Sequence, residues 1–368
     1  MVWQMKRIVI DARELRTSTG RYMERLLRYL QQLDREHEYI VLLKPEDIAS
    51  WNPDHANFNK LVCPHDEFGF GEQIGFKKQL DSLRADLVHF GMVHQPVWYQ
   101  GNVVTTVHDL TTMRFTNPAK NSAIFTFKQQ VYKYVVWRVA HKSAALLTPS
   151  RFVADDIVRY TGVPASKITV TYEAAEAIED APIAVPKLAG KRFLMYIGRP
   201  TPHKNLERLI EAFSLLRAQH PDLILVLAGR KDANYERIED NAYVQGIKSL
   251  HFTGFVSDKR LRWLYEHCEA YVFPSLSEGF GLPGLEAMRH GAPVVSSNAT
   301  CLPEIYCDAA HYFDPTDTQA MTDAINEVLT DKKLRAGLIR KGHKQAEKYS
   351  WQRMAEQTLE VYKQVLGE

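Results

Sequence analysis

The chain has 368 residues, 45% hydrophobic and 24% charged, with 46 Lys/Arg against 44 Asp/Glu. That length suits two domains of about 180 residues each, and the composition is that of a folded globular protein. Charge is even in both halves, 22 Lys/Arg against 21 Asp/Glu in residues 1–180 and 24 against 23 afterwards. The basic footprint of a nucleic-acid binder is therefore not expected.

In chain order, short β-branched runs alternate with helical patterns. Arg7–Ile10, Tyr39–Leu43, Leu87–Phe90, Val103–Val107 and Ala145–Thr148 read as strands in the first half. Phe193–Ile197, Leu223–Ala228, Ser249–Phe252, Ala270–Phe273 and Pro293–Ser296 follow in the second. Residues 21–33 set Tyr22, Leu26, Leu30 and Leu33 on one stripe. Residues 205–219 do the same with Leu206, Leu209, Ile210, Phe213 and Leu216. Continuous apolar strands with crossover helices predict parallel sheets covered on both faces. Residues 176–192 carry two prolines, a glycine and mixed charge with no period, and read as a linker. The expected organisation is an N-terminal Rossmann-like domain over 1–180, a second over 181–349, and a last helix over 350–368 that returns to the first. Two doubly wound domains in tandem place a ligand in the cleft between them, at the carboxyl ends of the strands. The N-terminal run MVWQMKRIVI reads as a first strand and not as a signal peptide. No apolar run is long enough to span a bilayer. The four cysteines, Cys63, Cys268, Cys301 and Cys307, show no CxxC spacing and read as reduced thiols of a cytoplasmic protein.

The chemistry concentrates in the segment from Pro274 to Met288, PSLSEGFGLPGLEAM. It leaves a strand at Phe273 and enters a helix whose first turn holds Pro283 and whose end is marked by Gly291. The Gly279-Phe280-Gly281 turn brings backbone N–H groups to a helix N-terminus, where free donors and the helix dipole suit an anion. Glu278 and Glu286 flank the turn and are placed to accept hydrogen bonds from sugar hydroxyls. On spacing alone, a strand–loop–helix with two solvated glutamates is the other reading. A second strand-to-helix passage, Gly198-Arg199-Pro200-Thr201-Pro202-His203-Lys204-Asn205, sets two cations where the dipole disfavours them, which points to an anionic partner.

With these residues in view, the chain resembles glycosyltransferase family 4. Glu278 and Glu286 have the family's E-x7-E spacing, and residues 198–206 are similar to its diphosphate loop. Thr253–Asp258 with Leu261 resembles its base-binding turn, and Leu302–Ile305 with Asp308–Ala310 resembles the segment after its last core strand. The resemblance implies the GT-B fold, an α/β architecture of two doubly wound Rossmann-like domains, and sugar transfer that retains anomeric configuration. It implies that Arg199 and Lys204 hold the donor diphosphate, Glu286 the ribose hydroxyls and Glu278 the donor sugar. The amides of Gly279, Phe280, Gly281 and Leu282 would hold sugar or phosphate, and Val256 would lie near the base. The strand ending in His108-Asp109 is similar to the family's segment contacting the donor sugar. From the residues alone, a packing or turn histidine is the preferred reading of His108. Gly20 alone remains of the family's glycine-rich first loop, beside Arg21, with Ser18 or Thr19 available to cap the next helix. Ser150 is either part of a family turn or an N-cap.

Two segments stay open. Residues 122–142 mix aromatics with Lys and Arg. One reading is a surface helix presented to a lipid-linked acceptor. The other, preferred because most aromatics in soluble helices are packing, is a core helix with Phe125, Val131, Val135 and Val139 turned inward. Phe68-Gly69-Phe70-Gly71 either edges an acceptor site or is an ordinary turn. The expected reaction moves a hexose-type sugar from a nucleoside-diphosphate sugar to a glycan or lipid-linked saccharide. Peripheral membrane contact stays open. The chain has no D-x-D motif, so no metal or other cofactor is expected. A sugar-nucleotide epimerase on the same scaffold and a non-catalytic nucleotide-sugar binder are the rival functions.

Overall fold

The computed structural model describes residues 5–17, 19–67, 69, 71–115, 122–244 and 246–368, with side chains of 122–125 excepted. The chain divides into two compact units: Met1–Met113, Thr126–Glu173 and Ser350–Glu368 in the first, Arg114–Phe125 and Ala174–Tyr349 in the second.

The first unit is built on seven strands: β1 (Arg7–Asp11), β2 (Glu38–Leu43), β3 (Phe58–Val62), β4 (Leu87–Phe90), β5 (Val103–Thr106), β6 (Ala145–Thr148) and β7 (Ile168–Val170). They form one sheet in the order β3-β2-β1-β4-β5-β6-β7, parallel throughout. The second unit contains β8 (Phe193–Ile197), β9 (Ile224–Ala228), β10 (Leu250–Gly254), β11 (Ala270–Phe273), β12 (Val294–Ser297) and β13 (Ala310–Phe313). Their order is β10-β9-β8-β11-β12-β13, again all parallel. Central strands β4, β5, β11 and β12 are buried at every position, as sheets covered on both faces require.

Both sheets follow the doubly wound order, in which the chain starts near the middle, winds to one edge and then crosses back. The direction reverses between β1 and β4 in the first unit and between β8 and β11 in the second. Loops leaving the carboxyl ends of such a strand pair diverge and leave a crevice, the usual ligand position in this topology.

The helix Gly20–Leu33 buries Tyr22, Leu26 and Leu30, and Leu206–Leu216 buries Leu206, Leu209, Ile210, Phe213 and Leu216. The last helix, Trp351–Leu366, packs on Gly20–Leu33 within the first unit. Ser350 caps it by accepting from the Arg353 N–H, and Gly367 ends it in a left-handed conformation. Three strands were not expected from the sequence: β3, β7 and β13. The stretch read as a linker is strapped to the second unit. Ile178 N donates to His290 Nε2 (3.1 Å), Arg289 Nε to Ala175 O (3.3 Å), and the Arg262 guanidinium to the carbonyls of Ile178, Glu179 and Asp180. The division therefore falls after Glu173, earlier than the 180/181 boundary expected, because those carbonyls take their hydrogen bonds from the second unit.

The helix Ser122–Lys142 corrects the preferred packing. Val131 is 45% exposed, while Val136, Val139 and Ala140 turn inward. Val135 is half-buried, and the Phe125 side chain lies outside the described residues. All four cysteines are free thiols, with Cys307 exposed and the others buried.

Candidate functional site

The loops that leave β8 and β11 are adjacent because their strands are, and three contacts lock them together. Leu276 N donates to His203 O at 2.7 Å. Asn205, held in a left-handed conformation (φ 60°), donates its amide to Pro274 O at 3.1 Å and to Pro315 O at 2.8 Å. Lys204 Nζ donates to Glu278 Oε1 at 2.6 Å. The predicted cation loop and the predicted glutamate–glycine loop thus share one crevice rim at the reversal point of the second sheet. Arg199 projects from the same loop. Its guanidinium is exposed and makes no ion pair with the described residues.

Glu278 is held from behind. Its N–H donates to Thr300 Oγ1 (3.1 Å), and its carbonyl accepts from Cys301 Sγ (3.3 Å). Burial, then the negative charges of Glu278 and Glu304, push the Cys301 thiol well above the ordinary thiol range. The chain then enters the helix Leu282–Arg289 through Gly281 as N-cap, at φ 96°. A Cβ at Gly281 would sit 2.5 Å from the Tyr306 hydroxyl and 2.7 Å from Leu302 Cδ2, so both backbone angle and space demand glycine. Tyr306 OH donates to Gly281 O, fixing the turn against the helix start.

Glu286 lies one turn into that helix, 9% exposed, with Oε2 accepting from Tyr265 OH at 3.3 Å. Phe280 is buried, edge-on to Tyr349 at 5.4 Å, so its side chain serves packing. Leu282 is half-buried at the first helical position. Val256 is half-buried in the turn after edge strand β10, beside Phe255, which is 80% exposed. It stands two strands away from β8.

In the first unit, the reversal point between β1 and β4 gathers another group. Gly20 opens the helix after β1 with Leu15 O only 1.9 Å from where a Cβ would stand, so the loop closes over it only as glycine. Thr19 occupies the N-cap position without capping; its hydroxyl reaches Thr17 Oγ1 (3.0 Å) and Met92 Sδ (3.6 Å). Ser18, Phe68 and Phe70 lie outside the described residues. Ser150 is an N-cap, accepting from Val153 N at 3.3 Å.

His108 is held within its own unit through both ring nitrogens. Nδ1 faces Glu173 Oε1 at 3.2 Å and Nε2 faces Gly91 O at 3.1 Å. Tyr22 stands edge-on to it at 4.9 Å. Tyr22 OH bonds Thr106 Oγ1 (2.9 Å), which bonds His89 Nε2 (2.8 Å), whose Nδ1 meets Tyr362 OH of the last helix. Burial, with the neighbouring charge of His108, pushes His89 down to about 3.

The sequence reading missed Asp11, Arg13, Glu72 and Glu173. Arg13 is 2% exposed. It forks onto Asp11 (2.9 and 2.8 Å), reaches Glu72 Oε1 (3.0 Å) and His65 O (2.9 Å), and lies 4.2 Å over the Phe76 ring. Burial works against its charge, but Asp11 and Glu72 outweigh burial and hold the guanidinium above its ordinary value. A cation two residues beyond a strand end is the same signal that singled out Arg199, so Arg13 was findable. Glu173 follows β7, an edge strand without a sequence signature, and was not.

Two parallel doubly wound sheets, with a glycine turn, two cations and two glutamates at the reversal point of the second, define the class of GT-B sugar-nucleotide transferases. Residues 178–345 match the family described as Glycosyl transferases group 1, and residues 19–177 match Glycosyltransferase Family 4. The chain belongs to glycosyltransferase family 4. It is 31% identical over 278 residues to O-antigen chain mannosyltransferase B of Escherichia coli, covering 71% of this chain and 70% of that protein. The serotype-specific mannosyltransferase WbdA of Escherichia coli is 33% identical over 238 residues, 61% of this chain but only 29% of WbdA. Sucrose-phosphate synthase from Thermosynechococcus elongatus superposes with a TM-score of 0.78 at 18% identity, covering 98% of this chain and 99% of that one. Anabaena Alr3699/HepE, solved in complex with UDP and glucose, gives 0.75 at 16% identity, covering 98% and 100%. At those identities the superpositions speak for the fold.

Proposed function

We propose that this enzyme is a retaining, metal-independent glycosyltransferase. It takes a hexose of the mannosyl, glucosyl or rhamnosyl class from a nucleoside-diphosphate sugar to a glycan or lipid-linked saccharide, in polysaccharide biosynthesis. The observation that carries the reading is the joining of the β8 and β11 loops, which sets Lys204 beside Glu278, with Arg199 exposed on the same loop as Lys204. Within the hexose class, the O-antigen mannosyltransferases among the relatives favour mannose.

The hard step is breaking the bond from the anomeric carbon to the phosphate oxygen. Negative charge grows on the departing nucleoside diphosphate while the sugar becomes oxocarbenium-like. Arg199, Lys204 and the helix N-terminus stabilise the leaving group, a task a metal ion performs in other enzymes. One preorganised, charge-assisted contact of this kind contributes roughly 3 kcal/mol, about a hundredfold in rate. Glu278 and Glu286 receive hydroxyls of the donor sugar and the ribose. The amides of Gly279, Phe280, Gly281 and Leu282 face sugar or phosphate, and Val256 lies toward the base. Gly20 lets the first loop close near the donor. His108, braced by Glu173 and Gly91 O, positions the donor sugar.

We place the enzyme on the cytoplasmic side, in peripheral contact with the membrane when its acceptor is lipid-linked. Incubation with a panel of UDP-, GDP-, dTDP- and ADP-sugars tests the reading. One donor should stabilise the protein against heat and be slowly hydrolysed without acceptor, releasing the nucleoside diphosphate. Stabilisation by none of them, with no hydrolysis, would count against it.

A further inference from the structure

The first unit carries an apolar stripe left exposed among the described residues. Along Ser122–Lys142, Phe127, Val131, Tyr134 and Trp137 are 70%, 45%, 51% and 43% exposed. Their spacing of four, three and three residues puts them on one helix face. The opposite face is used: Val136, Val139 and Ala140 are buried, and Val136 and Ala140 pack with Leu146 and Ile157. The stripe is thus the outward side of a well-anchored helix.

Trp98, 56% exposed, belongs to a loop tied to the end of this helix by Lys142 Nζ donating to Pro96 O at 2.6 Å. Burial, then the charge of Arg138, pushes the Lys142 ammonium down to about 7.

Charge follows the same segment. Between Asp109 and Asp155 the sequence has no Asp or Glu, yet holds seven Lys/Arg: Arg114, Lys120, Lys128, Lys133, Arg138, Lys142 and Arg151. The whole chain's surplus is only two, 46 against 44, so this is a local concentration offset elsewhere. Lys128, Lys133 and Arg138 interleave with the exposed aromatics.

We propose that this face is a docking surface for an anionic lipid bilayer, with the helix lying in the plane of the interface. Tyr and Trp rings with polar tips suit the headgroup boundary, and the interleaved cations suit acidic headgroups. No helix among the described residues is long and apolar enough to cross a membrane, and this mode of contact requires none. The surface rests on the peripheral contact inferred above, gives it a definite location, and uses none of the residues given a part in transfer.

Sedimentation of the full chain with vesicles tests it, using phosphatidylcholine alone and a 7:3 mixture with phosphatidylglycerol as an order-of-magnitude choice (roughly one-third acidic lipid). The protein should pellet with the acidic vesicles at low salt, be released at high salt, and ignore the neutral ones. Each cation near an acidic surface is worth roughly fivefold in partition, so Lys128→Ala with Lys133→Ala should weaken binding about 25-fold. Phe127→Ser with Trp137→Ser should weaken it at least ~tenfold. Both double variants should keep the unfolding midpoint and the donor hydrolysis of the parent, because none of the altered residues is buried. The proposal is overturned if the parent stays in the supernatant with acidic vesicles at low salt. It is equally overturned if it pellets alike with neutral ones, or if the variants bind as the parent does.

Discussion

Glu278→Gln separates donor recognition from sugar transfer. The Lys204 ammonium is paired with Glu278 at 2.6 Å, with the two side chains 21% and 13% exposed. A diphosphate must draw Lys204 away from that carboxylate before it gains the full attraction. Exposed pairs are worth at most about 1 kcal/mol, and cutting one partner from a buried pair costs about 3–5 kcal/mol. A pair of intermediate burial sits near ~2 kcal/mol, roughly thirtyfold in affinity. Glu278→Gln keeps the shape and removes the competitor, so a nucleoside diphosphate should bind roughly thirtyfold more tightly. Sugar transfer should fall at least ~tenfold, because the carboxylate no longer receives the sugar hydroxyl. Titration calorimetry of the parent, Glu278→Gln, Lys204→Met and the double variant completes a cycle. Lys204→Met should weaken diphosphate binding, and the double variant should resemble it, since the gain requires the freed ammonium. If Glu278→Gln leaves diphosphate affinity unchanged or lowers it, Lys204 is not the diphosphate ligand.

Arg199→Ala should lower transfer at least ~tenfold with little change in unfolding midpoint, since the guanidinium is exposed and makes no ion pair with the described residues; steady-state kinetics beside a thermal melt checks both halves. Glu286→Ala should raise KM for the donor more than it lowers kcat, which a donor titration separates. Gly20→Ala drives a Cβ to within 1.9 Å of Leu15 O and should cost about 2–3 kcal/mol in a denaturant titration. His89 carries a folded value depressed to about 3, against an ordinary ~6.5. The unfolded chain therefore takes up a proton first as pH falls, and stability is lost below about 6.5. Roughly 2 kcal/mol should be gone at pH ~5. His89→Phe should flatten that part of the stability–pH curve, and an unchanged curve would assign the loss to other groups.

How much was legible in the sequence follows from where each residue sits in its sheet. An interior strand such as Ala270–Phe273 is buried at every position and announces itself as an unbroken apolar run. The three unexpected strands, β3, β7 and β13, all lie at sheet edges. There an exposed side admits Asn59, Lys60, Thr169 and His311, and the run no longer looks like a strand. The β8 and β11 loops were legible because glycine, proline and paired charges are punctuation with few other uses. Their mutual contact was not: Asn205 reaching Pro274 O and Lys204 reaching Glu278 depend on strand order, which a local pattern does not encode. Nor did periodicity reveal which side of Ser122–Lys142 faces out, because apolar residues occur all round it.

The central claim is that the second unit binds a nucleoside diphosphate between the β8 and β11 loops. The structure of the protein crystallised with the nucleoside diphosphate that stabilises it most tests this directly. The account predicts phosphate oxygens within hydrogen-bonding distance of Arg199 and Lys204, at the N-terminus of Leu282–Arg289, with a ribose hydroxyl on Glu286. A nucleotide bound elsewhere, with Lys204 still paired to Glu278, would contradict it.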